Sequence, residues 1–160
     1  MAEPERGRVV SIVPRSELAA SGASDADLIQ QVRDALAHLH DLPYLQTHPL
    51  AGRVAARPGA PAAAAGKLLR QHLLDAVEAL RAPSGAAGGP HAWRGHRILV
   101  LRYVEALDVA AVQQQLALSS SEYYRDHRRA LAAVASLVRA GLANAERAAA
   151  PADDLGAGRA

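Results

Sequence analysis

The sequence predicts an all-α fold from three observations. Apolar residues recur at three- and four-residue spacing through most of the chain, helix-capping residues stand where those patterns begin, and Pro or Gly stands where they stop. Only Arg8–Val13 has the look of a short strand. The first helix is expected from Ser24, where Ser24-Asp25-Ala26-Asp27 offers a capping oxygen and carboxylates for the first exposed amides, to about His40. Its stripe of Leu28, Ile29, Val32, Leu36 and Leu39 needs a partner surface. Pro43 stops it. The stretch Asp41–Leu50 is apolar for a loop and is expected to fold back over the core, and Gly52–Gly66, rich in Ala, Pro and Gly, reads as a linker. A second helix follows over Lys67–Arg81, with Leu68, Leu69, Leu73, Val77 and Leu80 inward, and Pro83–Pro90 breaks the chain.

A third helix, Arg94–Leu107, carries Ile98, Leu99, Leu101, Val104 and Leu107 inward, with Trp93 as its anchor. Asp108 caps a short fourth, Val109–Leu116. Ser119 caps a fifth that closes at Gly141, its core face being Tyr123, His127, Leu131, Val134 and Val138. The domain reading is a flexible N-terminus at 1–23, a helical region at 24–82, a linker at 83–92, a C-terminal three-helix helix-turn-helix domain at 93–141 and a disordered tail at 142–160.

Length and composition exclude several classes. A chain of 160 residues holds one ordinary domain or two small helical ones. Absence of Cys removes disulfides, thiolate metal sites and cysteine nucleophiles. The first fifteen residues mix Glu3 and Glu5 with Arg6 and Arg8 and contain neither a secretory core nor a membrane span, so a cytoplasmic protein without membrane contact is expected. The seven His residues include no pair four apart on a helix, so no metal is expected, nor any other cofactor. No phosphate loop, nucleophile elbow or paired acid motif appears, so an enzyme is not expected either.

The net charge of +2 is unevenly spread: from His91 to Arg147 eight Arg face five carboxylates, whereas the first ninety residues balance. Three residues, Ala117-Leu118-Ser119, join the fourth and fifth helices, a connection short enough to make them cross steeply and let the second project. With Tyr123, His127 and Leu131 inward, Ser120, Ser121, Tyr124, Arg125, Arg128 and Arg129 are left outward. Arg125 and Arg128 suit bidentate contacts to guanine, Tyr124 a phosphate or a thymine methyl, Arg129 the backbone, and the serines the groove floor. The amides of Val109 and Ala110 offer a further phosphate contact.

At these residues the chain resembles a known family. His96–Leu107, followed by Asp108-Val109-Ala110-Ala111-Val112 and Leu116-Ala117-Leu118-Ser119, is similar to sigma-70 region 4 and its relatives among bacterial response regulators, over Trp93 to Gly141. The run Ser119–Leu131 resembles a recognition helix in which Tyr-Tyr-Arg follows the serines, and the resemblance implies that Tyr124, Arg125 and Arg128 carry the contacts. The chain departs from that pattern where Ala117 replaces the usual Gly of the turn, a substitution that suits a helical backbone there, and where Gln113 replaces a small residue between the helices. Glu122 and Asp126 put carboxylates on a helix expected to approach phosphates. The resulting expectation is a transcriptional regulator that binds double-stranded DNA, with RNA polymerase or a signalling protein as a further partner and a homodimer formed through the N-terminal helices. The rival expectation is an adaptor whose Arg face meets an acidic protein such as a polymerase subunit.

Overall fold

A computed structural model of the chain describes residues 15–56, 60–81 and 90–149, and within them every regular element is helical. In chain order these are α1 (Arg15–Ala37), α2 (Leu42–Thr47), α3 (Pro49–Ala55), a 3₁₀ turn (Ala62–Ala64), α4 (Ala65–Ala79), α5 (Pro90–Leu99), a π turn (Val100–Val104), α6 (Val109–Leu116) and α7 (Ser120–Ala149). The strand expected at Arg8–Val13 lies outside the described residues.

The long helix α7 is the strut of the fold: α1, α4 and α5 pack along it, and α2 and α3 cover α4. The α1 stripe needs no second copy. Leu28, Val32, Leu36 and Leu39 are buried in one cluster with Leu69, Leu73 and Val77 of α4 and Leu131, Val134, Val138 and Leu142 of α7. The argument for a homodimer through that stripe therefore falls away. A smaller cluster of Ile98, Leu101, Val112 and Tyr123, backed by Leu107, Val109, Leu116 and Leu118, holds α6 against α5 and the start of α7. No helix among the described residues is long and apolar enough to cross a membrane.

Several expected boundaries move, each for a tertiary reason. Helix α1 begins at Arg15 and not at Ser24; Asp25, expected in its first turn, instead forms an ion pair with Arg139 of α7. The 41–50 stretch does fold over the core, with Leu45 and Leu50 buried, but as helix: Asp41 caps α2 by accepting from the Tyr44 amide at 3.0 Å, and His48 caps α3 by accepting from the Leu50 amide at 3.2 Å. The expected linker is also largely structured, with α3 running through Ala55 and α4 starting at Ala65. Gly66 lies so close to α2 that an added Cβ would stand 2.9 Å from the Gln46 backbone nitrogen, and its amide donates to Gln46 Oε1 at 2.9 Å.

The third helix ends differently from the expectation. Its last turn widens, the Glu105 amide donating to the Val100 carbonyl and Leu107 to Leu101, both at 2.9 Å, before Ala106 takes a left-handed φ of 56°. His40 Nε2, from the turn after α1, donates to the carbonyls of Tyr103 and Val104 at 3.1 Å each and so satisfies groups that the helix end leaves open. Trp93 is not an anchor; it is 58% exposed. Nor does Gly141 end α7. The helix continues to Ala149 because Leu142 and Ala145 extend the buried spacing of Val138, and Gly141 makes room for His72 of α4. The disordered tail expected from 142 is helix as far as 149, and 150–160 lie outside the described residues.

Candidate nucleic-acid interface

Helix α6 begins where its sequence says it should. Asp108 has extended backbone and its Oδ1 accepts from the Ala111 amide at 2.7 Å. The helix stops at Ala117, which is left-handed at φ 50° and ψ 47° and sends the Leu118 amide back to the Gln113 carbonyl at 2.9 Å. The helical backbone under which Ala is tolerated at 117 is not the one found: this is the position where Gly would be unstrained. Ser119 then opens α7 through a reciprocal pair. Its Oγ accepts from the Glu122 amide at 3.3 Å, and Glu122 Oε2 accepts from the Ser119 amide at 3.0 Å and hydroxyl at 2.8 Å. The Ser119 backbone amide above all, then its hydroxyl, holds the Glu122 carboxyl below its ordinary pKa. Glu122 is thus engaged at the cap.

Six residues expected to face outward do so together. Ser120, Ser121, Tyr124, Arg125, Arg128 and Arg129 are all exposed on the first turns of α7, Tyr124 at 55%. All but Ser120 line one shallow groove of about 520 Å³. Ser120 lies toward α6, where its Oγ accepts from Gln113 Nε2 at 3.3 Å, so Gln113 bridges the two helices. Beneath the face, Tyr123, His127 and Leu131 are buried as expected, and the Tyr123 ring meets Tyr124 edge-on at 5.2 Å between centroids.

Asp126 is the residue the sequence misplaced. Expected to put a carboxylate on the helix that approaches phosphates, it is only 4% exposed, because it stands three residues after buried Tyr123 and four before buried Ala130. Its Oδ2 accepts from Arg94 of α5 at 3.3 Å, while its other oxygen, Oδ1, faces Arg125 Nε at 3.8 Å and Arg129 Nη1 at 4.0 Å and accepts no hydrogen bond. Arg94 is consumed in this pair. Arg125 and Arg129 are held loosely at its edge, and Arg128 enters no ion pair among the described residues. The result is a basic surface with a buried counter-charge that orients it without covering it.

The sequence reading missed Arg33 and Arg102, which meet α7 beside Tyr103 and His127. Arg33 lies on α1, far away along the chain, and no local pattern announces that meeting. Among the described residues no group of three or more His, Asp or Glu is placed to hold a metal ion. No protein-family model matches the chain, and no curated protein or solved structure does.

Proposed function

We propose that the chain is a sequence-specific double-stranded DNA-binding regulator of transcription, reading the major groove with the first turns of α7 in a helix-turn-helix formed with α6. The observation that carries this reading is the face of Ser120, Ser121, Tyr124, Arg125, Arg128 and Arg129, displayed at the start of a helix that follows a three-residue turn. An exposed planar guanidinium matches both the paired acceptors of guanine and phosphate oxygens, and small hydroxyls beside it permit close approach to base edges. The large core beneath α7 fixes the helix, so contact with a duplex does not have to order it first. Tyr124, half exposed and braced edge-on by Tyr123, presents both a ring and a hydroxyl.

The resemblance of residues 93–141 to sigma-70 region 4 supports the same geometry, and with it RNA polymerase as a partner. The test is selection of duplexes from a random-sequence pool at low salt, followed by titration of the enriched site with Arg125→Ala. A base contact predicts a loss of roughly 1–3 kcal/mol and a flattened preference at one base pair. An equal loss on every duplex would make Arg125 a phosphate contact, and no enrichment of any duplex would remove the reading.

A further inference from the structure

Beside the shallow groove, with Tyr124 and Arg128 common to both, α1, the π turn and α7 enclose a cleft of about 450 Å³. Three arginines from three elements line it: Arg33 of α1, Arg102 of the π turn and Arg128 of α7. None of the three enters an ion pair among the described residues. Arg102 spends one N–H on the Leu107 carbonyl at 3.1 Å, and its guanidinium carbon stands 5.7 Å from the Tyr103 ring centre. The floor is aromatic and buried. Tyr103 Oη and His127 Nε2 share a hydrogen bond of 2.9 Å, and the Tyr123 ring stacks on His127 with centroids 5.4 Å apart and 13° between the planes. Ile29, Ala37 and Leu131 add apolar wall.

The chemistry of these walls is specific. Burial, with Arg33 and Arg102 adding to it, pushes the His127 pKa down to about 4, so the imidazole is neutral near pH 7 and, among the described residues lining the cleft, the arginines alone carry formal charge. Three guanidinium groups on one cleft offer charge-assisted donors to a bound anion, and the exposed Tyr124 ring with its apolar neighbours favours a flat apolar body beside it. The volume falls in the range of small-molecule sites. We propose that this cleft binds a small organic anion, a carboxylate or phosphate monoester carried on a flat ring, with the anionic group held by Arg33, Arg102 and Arg128 and the ring laid against the exposed Tyr124 ring and the apolar wall of Ile29 and Ala37. A backbone phosphate of DNA is the other source of such an anion. Arg33, however, is not among the residues of the shallow groove, and the cleft reaches that groove only through Tyr124 and Arg128. Binding in the cleft does not require the basic face to meet DNA.

The test is calorimetric titration of the full chain with phenyl phosphate and benzoate, with inorganic phosphate to measure the anion alone. Saturable binding of an aromatic anion in the millimolar range or tighter is expected, with the bare phosphate weaker. Arg33→Ala should weaken it at least about tenfold, the size of one charge-assisted hydrogen bond, and Arg33→Lys should recover part of the loss. Arg53→Ala, which removes an exposed charge on α3 outside the cleft, should change nothing. In the presence of the probe the His127 imidazole, followed by NMR, should titrate above its value without it. Failure of both aromatic anions to saturate would overturn the proposal, as would equal weakening by Arg53→Ala. So would a loss confined to duplex affinity in Arg33→Ala, which would assign the cleft to a DNA phosphate.

Discussion

Asp126 decides how strongly the basic face is charged. One of its oxygens holds Arg94 across the α5–α7 contact, and the other lies under Arg125 and Arg129 without a hydrogen bond of its own. Asp126→Asn keeps the shape and removes the charge. Because Arg94 then faces a neutral group in a mostly buried position, the variant is expected to lose about 1–3 kcal/mol of stability in denaturant unfolding. On the proposed function the same change should raise duplex affinity, since Arg125 and Arg129 no longer face a carboxylate. A variant as stable as the parent would show that the Arg94 pair contributes nothing net. The outward set from Ser120 to Arg129 was legible because each position follows from helical spacing around Tyr123, His127 and Leu131. The same spacing could have placed Asp126 inward, between Tyr123 and Ala130, but a carboxylate beside an apolar stripe reads as its border. Its partner Arg94 lies on another helix, and the chain gives no sign of the pairing.

Among the elements, α6 and the start of α7 were legible because their signals are local. The Asp108 cap, the Ser119–Glu122 pair and the three-residue turn each act within a few residues of themselves. The turn carries a strain that can be measured. Ala117 holds a left-handed backbone that suits Gly, so Ala117→Gly is expected to stabilise the protein by up to about 1 kcal/mol, read as a higher denaturant midpoint at unchanged slope. A loss of stability would mean that the entropy of a glycine in the unfolded chain outweighs the relieved strain. The π turn and the length of α7 were not legible, because both are set by distant groups. His40 takes the open carbonyls at the end of the π turn, and α4 lines the stretch of α7 that includes Gly141 and Leu142. Gly141, a terminator by local rules, serves there as a place of close approach.

At the scale of the whole molecule, the N-terminal stripe and the C-terminal helices share one core, so acid sensitivity of a single buried group is felt by the entire fold. The His127 pKa lies at about 4 in the folded chain and near 6.5 when unfolded, so unfolding takes up a proton between those values. Stability should be level above about pH 6.5, decline as the pH falls toward 4 by on the order of 2–3 kcal/mol, and flatten below. His48, lowered chiefly by burial, acts in the same direction. Equilibrium unfolding at several pH values checks this, and a flat profile between pH 7 and 5 would contradict it. The apolar stripe of α1 was legible as a surface needing a partner; that the partner is α7 and not a second copy was not, because amphipathicity says how much must be covered and not by what. The central claim, that the face on α7 meets DNA, is tested most directly by titrating a labelled duplex at several salt concentrations. With Arg125 on a base and Arg128 and Arg129 as the phosphate-reaching charges, log affinity should fall against log salt with a slope of about −2, and Arg128→Ala should reduce that slope by about one. Absence of binding to any duplex at low salt, or a slope near zero that Arg128→Ala leaves unchanged, would contradict the claim.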